Sequence, residues 1–434
     1  MPRIAKLLVA VAALAVALVV FTAVNGRPGE QAAGAARGRA VVVLPGASTD
    51  ARIAALQSNL RARVGRGGQL TALGDAYLQK VRETGDYAYY SRAQQAYGQA
   101  LARDGRDIAA TIGQGTLALG RHDFRAGLVA GRRARALAPE AAGPLPVVVD
   151  ALVELGRYDE AGRVLQRLVD IKPGLSAYAR VSYLRELRGD IRGAVSAMRL
   201  AVDAGSSTPE GTAYVQVLLG TLERNRGRLA VAGAAYRAAL RAQPRFPAAD
   251  AGLARVEAAR GALGPAIRRL RSVVERLPLP EYIVALGETE LAAGRTRAAR
   301  DDLALVPAER RLLGASGVNT DGEFALFEAD HGDPATGVRV AERAWRAAPS
   351  VRSADALGWA LTRAGRRDEG YRWMRRAIGL GWREPLVLYH AAMSARAAGD
   401  RAATRRLLRR LLEQSPAFSP LYAPRARRAL EHLS

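Results

Sequence analysis

The 434-residue chain has no cysteine, which excludes a disulfide framework and a cysteine-linked lipid anchor. Lysine is nearly absent as well. Only Lys6, Lys80 and Lys172 occur, so almost all of the 65 basic residues are arginine. Aromatic residues make up only 6%. The four histidines, His122, His331, His390 and His432, are scattered without metal-ligand spacing. No His-Glu-x-x-His, phosphate-cradling glycine loop, dinucleotide fingerprint or nucleophile elbow is present. These absences leave no catalytic constellation. The expectation is a non-enzymatic protein that needs no cofactor and no metal.

Only one long apolar run occurs. Leu7–Val24 is apolar throughout except for Thr22, and it follows a short segment carrying Arg3 and Lys6. As a helix it spans about 27 Å, close to a hydrocarbon thickness of roughly 30 Å. The core of a cleaved signal peptide is shorter, about 7–15 residues. Residues 1–24 therefore read as an uncleaved transmembrane anchor. A cleaved signal, giving a secreted or periplasmic protein, and a buried soluble helix are the alternatives. Arg3 and Lys6 favour a cytoplasmic N-terminus, with the rest of the chain outside a cytoplasmic membrane crossed once. Arg27, Arg37 and Arg39 weaken that bias. Residues 25–50 are rich in Gly, Ala and Arg and read as a flexible tether; Ala51–Val64 reads as one amphipathic lead-in helix.

The remainder is periodic. Ala93, Gly127, Ala161, Ala194, Ala232, Ala266, Ala299, Gly337, Gly370 and Thr404 are all small and follow one another at nearly constant intervals. Pro139, Pro173, Pro244, Pro278, Pro349 and Pro416 keep one or two of the same intervals. Within one unit, Tyr158, Ala161, Leu165 and Leu168 recur at helical steps and share one face. Gly156 stands where a preceding helix ends, and Pro173 where the next one stops. A further helical stretch precedes each such helix, often with Leu-Gly in its middle: Leu73-Gly74, Leu219-Gly220, Leu286-Gly287 and Leu357-Gly358. A period in the mid-thirties marks a repeat array whose units bury their apolar faces only by stacking.

Two helices per unit with these small and proline positions resemble the tetratricopeptide repeat, of the bacterial membrane-anchored type. The resemblance covers roughly residues 70–418. It implies an all-α, right-handed solenoid of about ten helix pairs. With the lead-in helix, residues 51–418 form the array, and 419–434 an arginine-rich capping helix. About seven extra residues lengthen the first unit. Longer loops at Ala204–Pro209 and Gly314–Thr320 mark possible bends near 207 and 317. Trp382 stands where one unit lacks its proline. The repeats that clamp acidic chaperone tails need lysine and asparagine positions that this chain lacks.

By the same resemblance, the first helix of each pair lines a groove that holds a protein or peptide partner. This nominates Tyr183, Tyr214, Arg224, Arg255, Arg352, Trp359, Tyr389 and Arg396, with no more than half of them expected to face a ligand. Trp359→Ala with Arg352→Ala is then expected to abolish capture without unfolding the array. The net charge of +24 suits a solvated arginine surface of the kind a GC-rich genome produces. It also suits a basic structural protein on an anionic envelope polymer or membrane surface. Nucleic acid is disfavoured because aromatics are few. Asn319, Asp321, Gly322 and Glu328 match part of a calcium loop, but Gly317 offers no carboxylate at its first position. The preferred reading there is a helix start capped by Thr320 and Glu323, with the acids meeting a neighbouring arginine-rich repeat as a further option. The oligomeric state is left open.

Overall fold

The structure, a computed structural model, describes residues 47–64 and 68–433. The apolar run and most of the expected tether lie outside the described residues. Among the described residues every regular element is a helix, and none is long and apolar enough to cross a membrane. The described residues divide into two compact units, those up to 151 with 313–319, and those of 152–312 with 320 onward. The loop around 207 lies inside the second unit, and residue 317 belongs to the first.

The first unit contains α1 (Thr49–Arg61), α2 (Gln69–Thr84), α3 (Ala88–Arg103), α4 (Ile108–Gly120) and α5 (Phe124–Leu137). Helix α6 (Leu145–Glu154) carries the chain across the division. The extra residues of the first repeat lengthen α2 and α3 to 16 residues each.

In the second unit come α7 (Tyr158–Ile171), α8 (Leu175–Leu187), α9 (Ile191–Asp203), α10 (Pro209–Asn225), α11 (Leu229–Ala242) and α12 (Pro247–Ala259). Then follow α13 (Leu263–Arg276), α14 (Pro280–Ala292) and α15 (Thr296–Leu303), and α16 (Val306–Ala315) crosses the division. The last stretch holds α17 (Asp321–His331), α18 (Pro334–Ala347), α19 (Val351–Arg363), α20 (Arg367–Ile378), α21 (Pro385–Ala397), α22 (Arg401–Gln414) and α23 (Tyr422–Glu431). Each unit is built of helix pairs in a tetratricopeptide-like, repeat packing, and α23 follows the last pair.

The periodic glycines have a steric cause. Tyr236 of α11 is fully buried, its ring lying between Gly220 of α10 and Gly252 of α12. A Cβ on Gly220 would stand 2.7 Å from the ring, and one on Gly252 closer still. Tyr97 of α3 repeats the arrangement in the first unit, between Gly74 and Gly113. Leu303 fills the same place against Gly287, and Met374 against Gly358. Each Leu-Gly pair is thus a socket for a large side chain of the second helix. Glycine costs a helix roughly 1 kcal/mol relative to alanine, and the buried ring offsets this. The small positions of the second helices pack as tightly: Ala93, Ala161, Ala194, Ala232, Ala266 and Ala299 are fully buried.

A polar repeat accompanies the apolar one. Glu223, Glu257 and Glu290 succeed one another at the repeat period, near the C-terminal ends of α10, α12 and α14. Glu223 is buried among Arg199, Arg226 and Arg228 at 3.2 to 4.0 Å. Glu257 pairs with Arg269 at 2.9 Å, and Glu290 with Arg271 at 2.5 Å.

The helix start expected around Thr320 is present, but its expected cap is corrected. Thr320 precedes α17 but makes no capping bond with its side chain. Asp321 pairs instead with Arg310 at 2.8 Å and Arg343 at 3.0 Å, which is the contact with neighbouring arginines. The partial calcium-loop match folds from Asp321 onward as helix, so Glu328 stands two helical turns away from Asp321 rather than closing a loop with it.

Gly220→Ala is expected to destabilise the second unit by about 1–3 kcal/mol through overpacking, reduced somewhat by the gain in helix propensity. Adding Tyr236→Leu should cost less than the sum of the two single changes, because the leucine vacates the socket. Urea unfolding of the single and double variants measures this coupling.

Candidate binding recess

In the second unit the chain coils until late loops lie against early turns. Gly156, between α6 and α7, has a positive φ of 72° and faces the Pro349 carbonyl, with no room for a Cβ. Gly189 meets the Gly381 carbonyl in the same way, and Gly227 that of Gln414, 2.9 Å from a Cβ. Each contact joins segments remote from one another in sequence. Hydrogen bonds lock the seam: the Val351 N–H donates to the Tyr158 hydroxyl at 2.8 Å, and Gln414 Nε2 donates to the Asn225 carbonyl at 3.0 Å.

These contacts bring charged residues of α8, α10, α12, α19 and the start of α21 within electrostatic reach of one another, in a partly buried polar cluster, the recess of this unit. Local sequence fixes each helix. Ser350 and Ser353 form a reciprocal capping box that starts α19 and sets Arg352 in its first turn. The Thr208 hydroxyl accepts from the Gly211 N–H at 3.1 Å, with Pro209 in the first turn of α10. The Glu384 carboxylate accepts from the Leu386 and Val387 N–H groups at 2.9 and 3.0 Å, opening α21.

Arg352 is the clasp of this recess. Its Nε donates to the Tyr183 hydroxyl at 2.7 Å, which donates in turn to Glu154 at 3.0 Å. Its guanidinium also lies 5.3 Å from the Trp382 ring, which is buried where other units carry proline. Burial alone would lower the Arg352 pKa; Tyr183, Glu154 and Glu186 reverse this and hold it above its ordinary value. Glu186 lies one turn beyond Tyr183. It keeps some water contact but is ringed by protein, and burial pushes its carboxyl up to about 7, opposed by Arg352 and Arg224.

Arg224 of α10 and Arg255 of α12 face the same recess, both half-buried. Arg224 Nε is buried and makes no hydrogen bond. Arg255 reaches only the Glu281 carbonyl, at 3.4 Å. Burial, and then the neighbouring Arg224, lower its pKa. Neither guanidinium has a carboxylate within ion-pair distance among the described residues. Two cations are thus held close with Glu186, Glu384 and Glu281 acting on them electrostatically but from beyond ion-pair distance, and burial penalises the charge of Glu186.

The nominated residues divide by chemistry. Tyr183, Tyr214, Trp359 and Tyr389 are buried, and Arg396 is exposed. Trp359, 4% exposed, stacks on His390 at 4.4 Å and donates through Nε1 to Asp330 at 3.1 Å. Tyr389 packs on Phe418 and Tyr422. The expectation that Trp359→Ala with Arg352→Ala would spare the fold is therefore corrected, since it removes a core ring and the clasp. Sequence reasoning missed Glu186, Glu384 and the Asp355–His390 pair, which meets at 3.0 Å. Glu186 was findable, being on the Tyr183 face; Glu384 enters the recess only because the unit coils.

No family model and no curated protein matches the sequence. Among solved structures, the human IFIT1 dimer with PPP-AAAA is similar over 75% of this chain and 78% of that one, at 14% identity and a TM-score of 0.49. The APC/C hetero-tetramer Cut9–Hcn1 is similar over 89% and 83%, at 15% identity and a TM-score of 0.39. The MamA protein is similar over 40% of this chain and 92% of its own, at 17% identity and a TM-score of 0.30. The fold assignment rests on this chain's own helix pairs.

The recess makes stability depend on pH. Native Glu186 holds its proton up to about 7, whereas the unfolded group releases it near 4.5. The native state binds more protons in that window, so stability falls as pH rises through it. Glu309, also raised to about 7 by burial, acts in the same direction. Burial lowers the His390 pKa, but Asp355 outweighs it and leaves the value raised. The contribution of His390 is therefore complete below about 6.5 and lost as pH rises through its native value. Glu186→Gln should flatten the decline between about pH 5 and 7, by less than about 1.4 kcal/mol per pH unit because the group keeps water contact. Denaturant midpoints across that range test it.

Proposed function

We propose that this protein is a non-enzymatic scaffold that holds a protein or peptide partner in the recess of its second unit. The observation that carries this reading is the Arg224–Arg255 pair, two half-buried guanidiniums without a carboxylate partner among the described residues. A partner supplying an acidic group would neutralise them, and the adjacent Glu186 would take a donor from the same segment. Arginine makes bidentate bonds to carboxylates and is favoured among interface anchors. The sequence supports the non-enzymatic part, since it offers no catalytic constellation. The apolar run Leu7–Val24 supports a single-pass tether to the cytoplasmic membrane with the repeats outside.

The test uses the full chain, tagged at its C-terminus and crosslinked in cells, with membranes extracted and co-purifying species identified. A few stoichiometric proteins are expected. Arg224→Gln with Arg255→Gln should reduce their recovery by about tenfold or more, because removing a buried ionic contact costs at least about 2 kcal/mol. An unchanged thermal midpoint in the variant separates lost binding from lost folding. Recovery of lipid, polymer or nucleic acid alone, indifferent to these substitutions, would transfer the function to the arginine surface.

A further inference from the structure

The second helices α18, α20 and α22 make a face that the groove reading does not use. Their sequences hold twelve arginines against four carboxylates, Glu342, Asp368, Glu369 and Glu413. The three helices are contiguous. Trp345 of α18 and Trp373 of α20 pack edge to face at 4.7 Å, and the Tyr371 hydroxyl donates to Asp400, the cap of α22, at 3.0 Å. Both tryptophans are half-buried, unlike Trp359 and Trp382, which are 4% and 5% exposed.

Arginines are denser on this face and less often paired than on α13, although Arg343 of α18 binds Asp321. On α13, Arg269, Arg271 and Arg276 each bind carboxylates, at 2.5 to 3.3 Å. On the α18–α22 face, Arg372, Arg375, Arg376, Arg406, Arg409 and Arg410 are exposed, and none has a carboxylate within ion-pair distance among the described residues. Arg376 instead lies over Trp345 at 4.5 Å and Trp373 at 5.7 Å.

We propose that the α18–α20–α22 face docks on an anionic lipid bilayer, with Trp345 and Trp373 entering the headgroup layer and the arginines meeting lipid phosphates. Like charge gathered without internal partners is attracted to an anionic surface at about 1 kcal/mol per basic residue. Tryptophan rings settle at the boundary between apolar and wet regions. Nucleic acid fits less well, because bases need open aromatic faces, and here Arg376 covers the rings while they pack on each other. The apolar run Leu7–Val24 adds a second reason for the chain to meet a bilayer, but docking does not depend on its insertion.

The experiment adds the full chain to bilayers with brominated acyl chains, either phosphatidylcholine alone or with phosphatidylglycerol, and reads tryptophan fluorescence. Leu7–Val24 contains no tryptophan, so its insertion by itself carries none into the acyl layer, and it would act alike in both bilayers. Quenching is expected in the anionic bilayer, fading as salt rises. Trp345→Phe with Trp373→Phe should abolish it. Neutralising Arg372, Arg376 and Arg409 to Gln should weaken docking by at least about tenfold, and replacing them with Lys should restore most of it. Circular dichroism checks that the variants fold; if any does not, the lipid and salt dependence of the unaltered chain decides. Equal quenching in neutral and anionic bilayers, or quenching that survives loss of both tryptophans, overturns the proposal. So does binding to an acidic protein or an oligonucleotide without any response to lipid.

Discussion

The close approach of helices at glycine is the constraint on which the rest of the structure depends. A tyrosine ring wedged between two glycines, as Tyr236 is between Gly220 and Gly252, fixes three helices at once. Two of them belong to one pair and the third opens the next, so the same ring that closes a pair also sets its rotation onto its neighbour. Interiors are packed too densely for that rotation to drift. A larger residue at either glycine would change the angle and not only the local contact. The socket also tolerates different occupants. Leu303 and Met374 fill it elsewhere, and such changes of occupant are one means by which the coil can vary along the chain.

Because rotation accumulates from pair to pair, a local rule generates contacts that no local feature announces. In the second unit the coil brings Pro349, Gly381 and Gln414 onto Gly156, Gly189 and Gly227, all of them at or beside turns between helices. Turn carbonyls that would otherwise face water then lie against glycines without side chains, which is the only way backbones can come so near. Once that seam closes, whatever the first helices carry faces inward. Charge enters a region where water is scarce, and its energetics change. Arg352 answers with a hydrogen bond and aromatic neighbours, and Glu186 by holding its proton.

What could be read from the sequence follows the same division. The period, the helix pairs, the terminal helix and the sockets are all consequences of neighbours within one repeat or the next, and their residue types display them. Gly156 as a turn residue and Ala161 as a point of close packing are in this class. The recess is not. Tyr183 and Arg352 are each legible as first-helix residues, yet their bond spans 169 positions and exists only because many small rotations sum to a seam. Trp359 was legible as an anchor by residue type, but its partners Asp330 and His390 sit on neighbouring pairs and draw it into the core. Trp345 and Trp373 escaped notice for the opposite reason: resemblance directs attention to first helices, and these rings lie on second ones.

The surplus of arginine has no single meaning across this protein. Around Glu223, Glu257 and Glu290 it is structural. Buried or half-buried carboxylates there would be costly alone, and the guanidinium fork suits them better than an ammonium would. In the recess it is divided, since Arg352 is satisfied while Arg224 and Arg255 are not. On the α18–α22 face it is largely unmatched, because the carboxylates that pair with arginine elsewhere are few. A compositional bias toward arginine would account for its frequency, but would not by itself sort the carboxylates. They accompany the arginines around Glu223, Glu257 and Glu290 and are few beside the twelve of α18, α20 and α22. It is this uneven placement of the acids, rather than the number of bases, that separates the arginines paired within the protein from those with no carboxylate in ion-pair distance among the described residues.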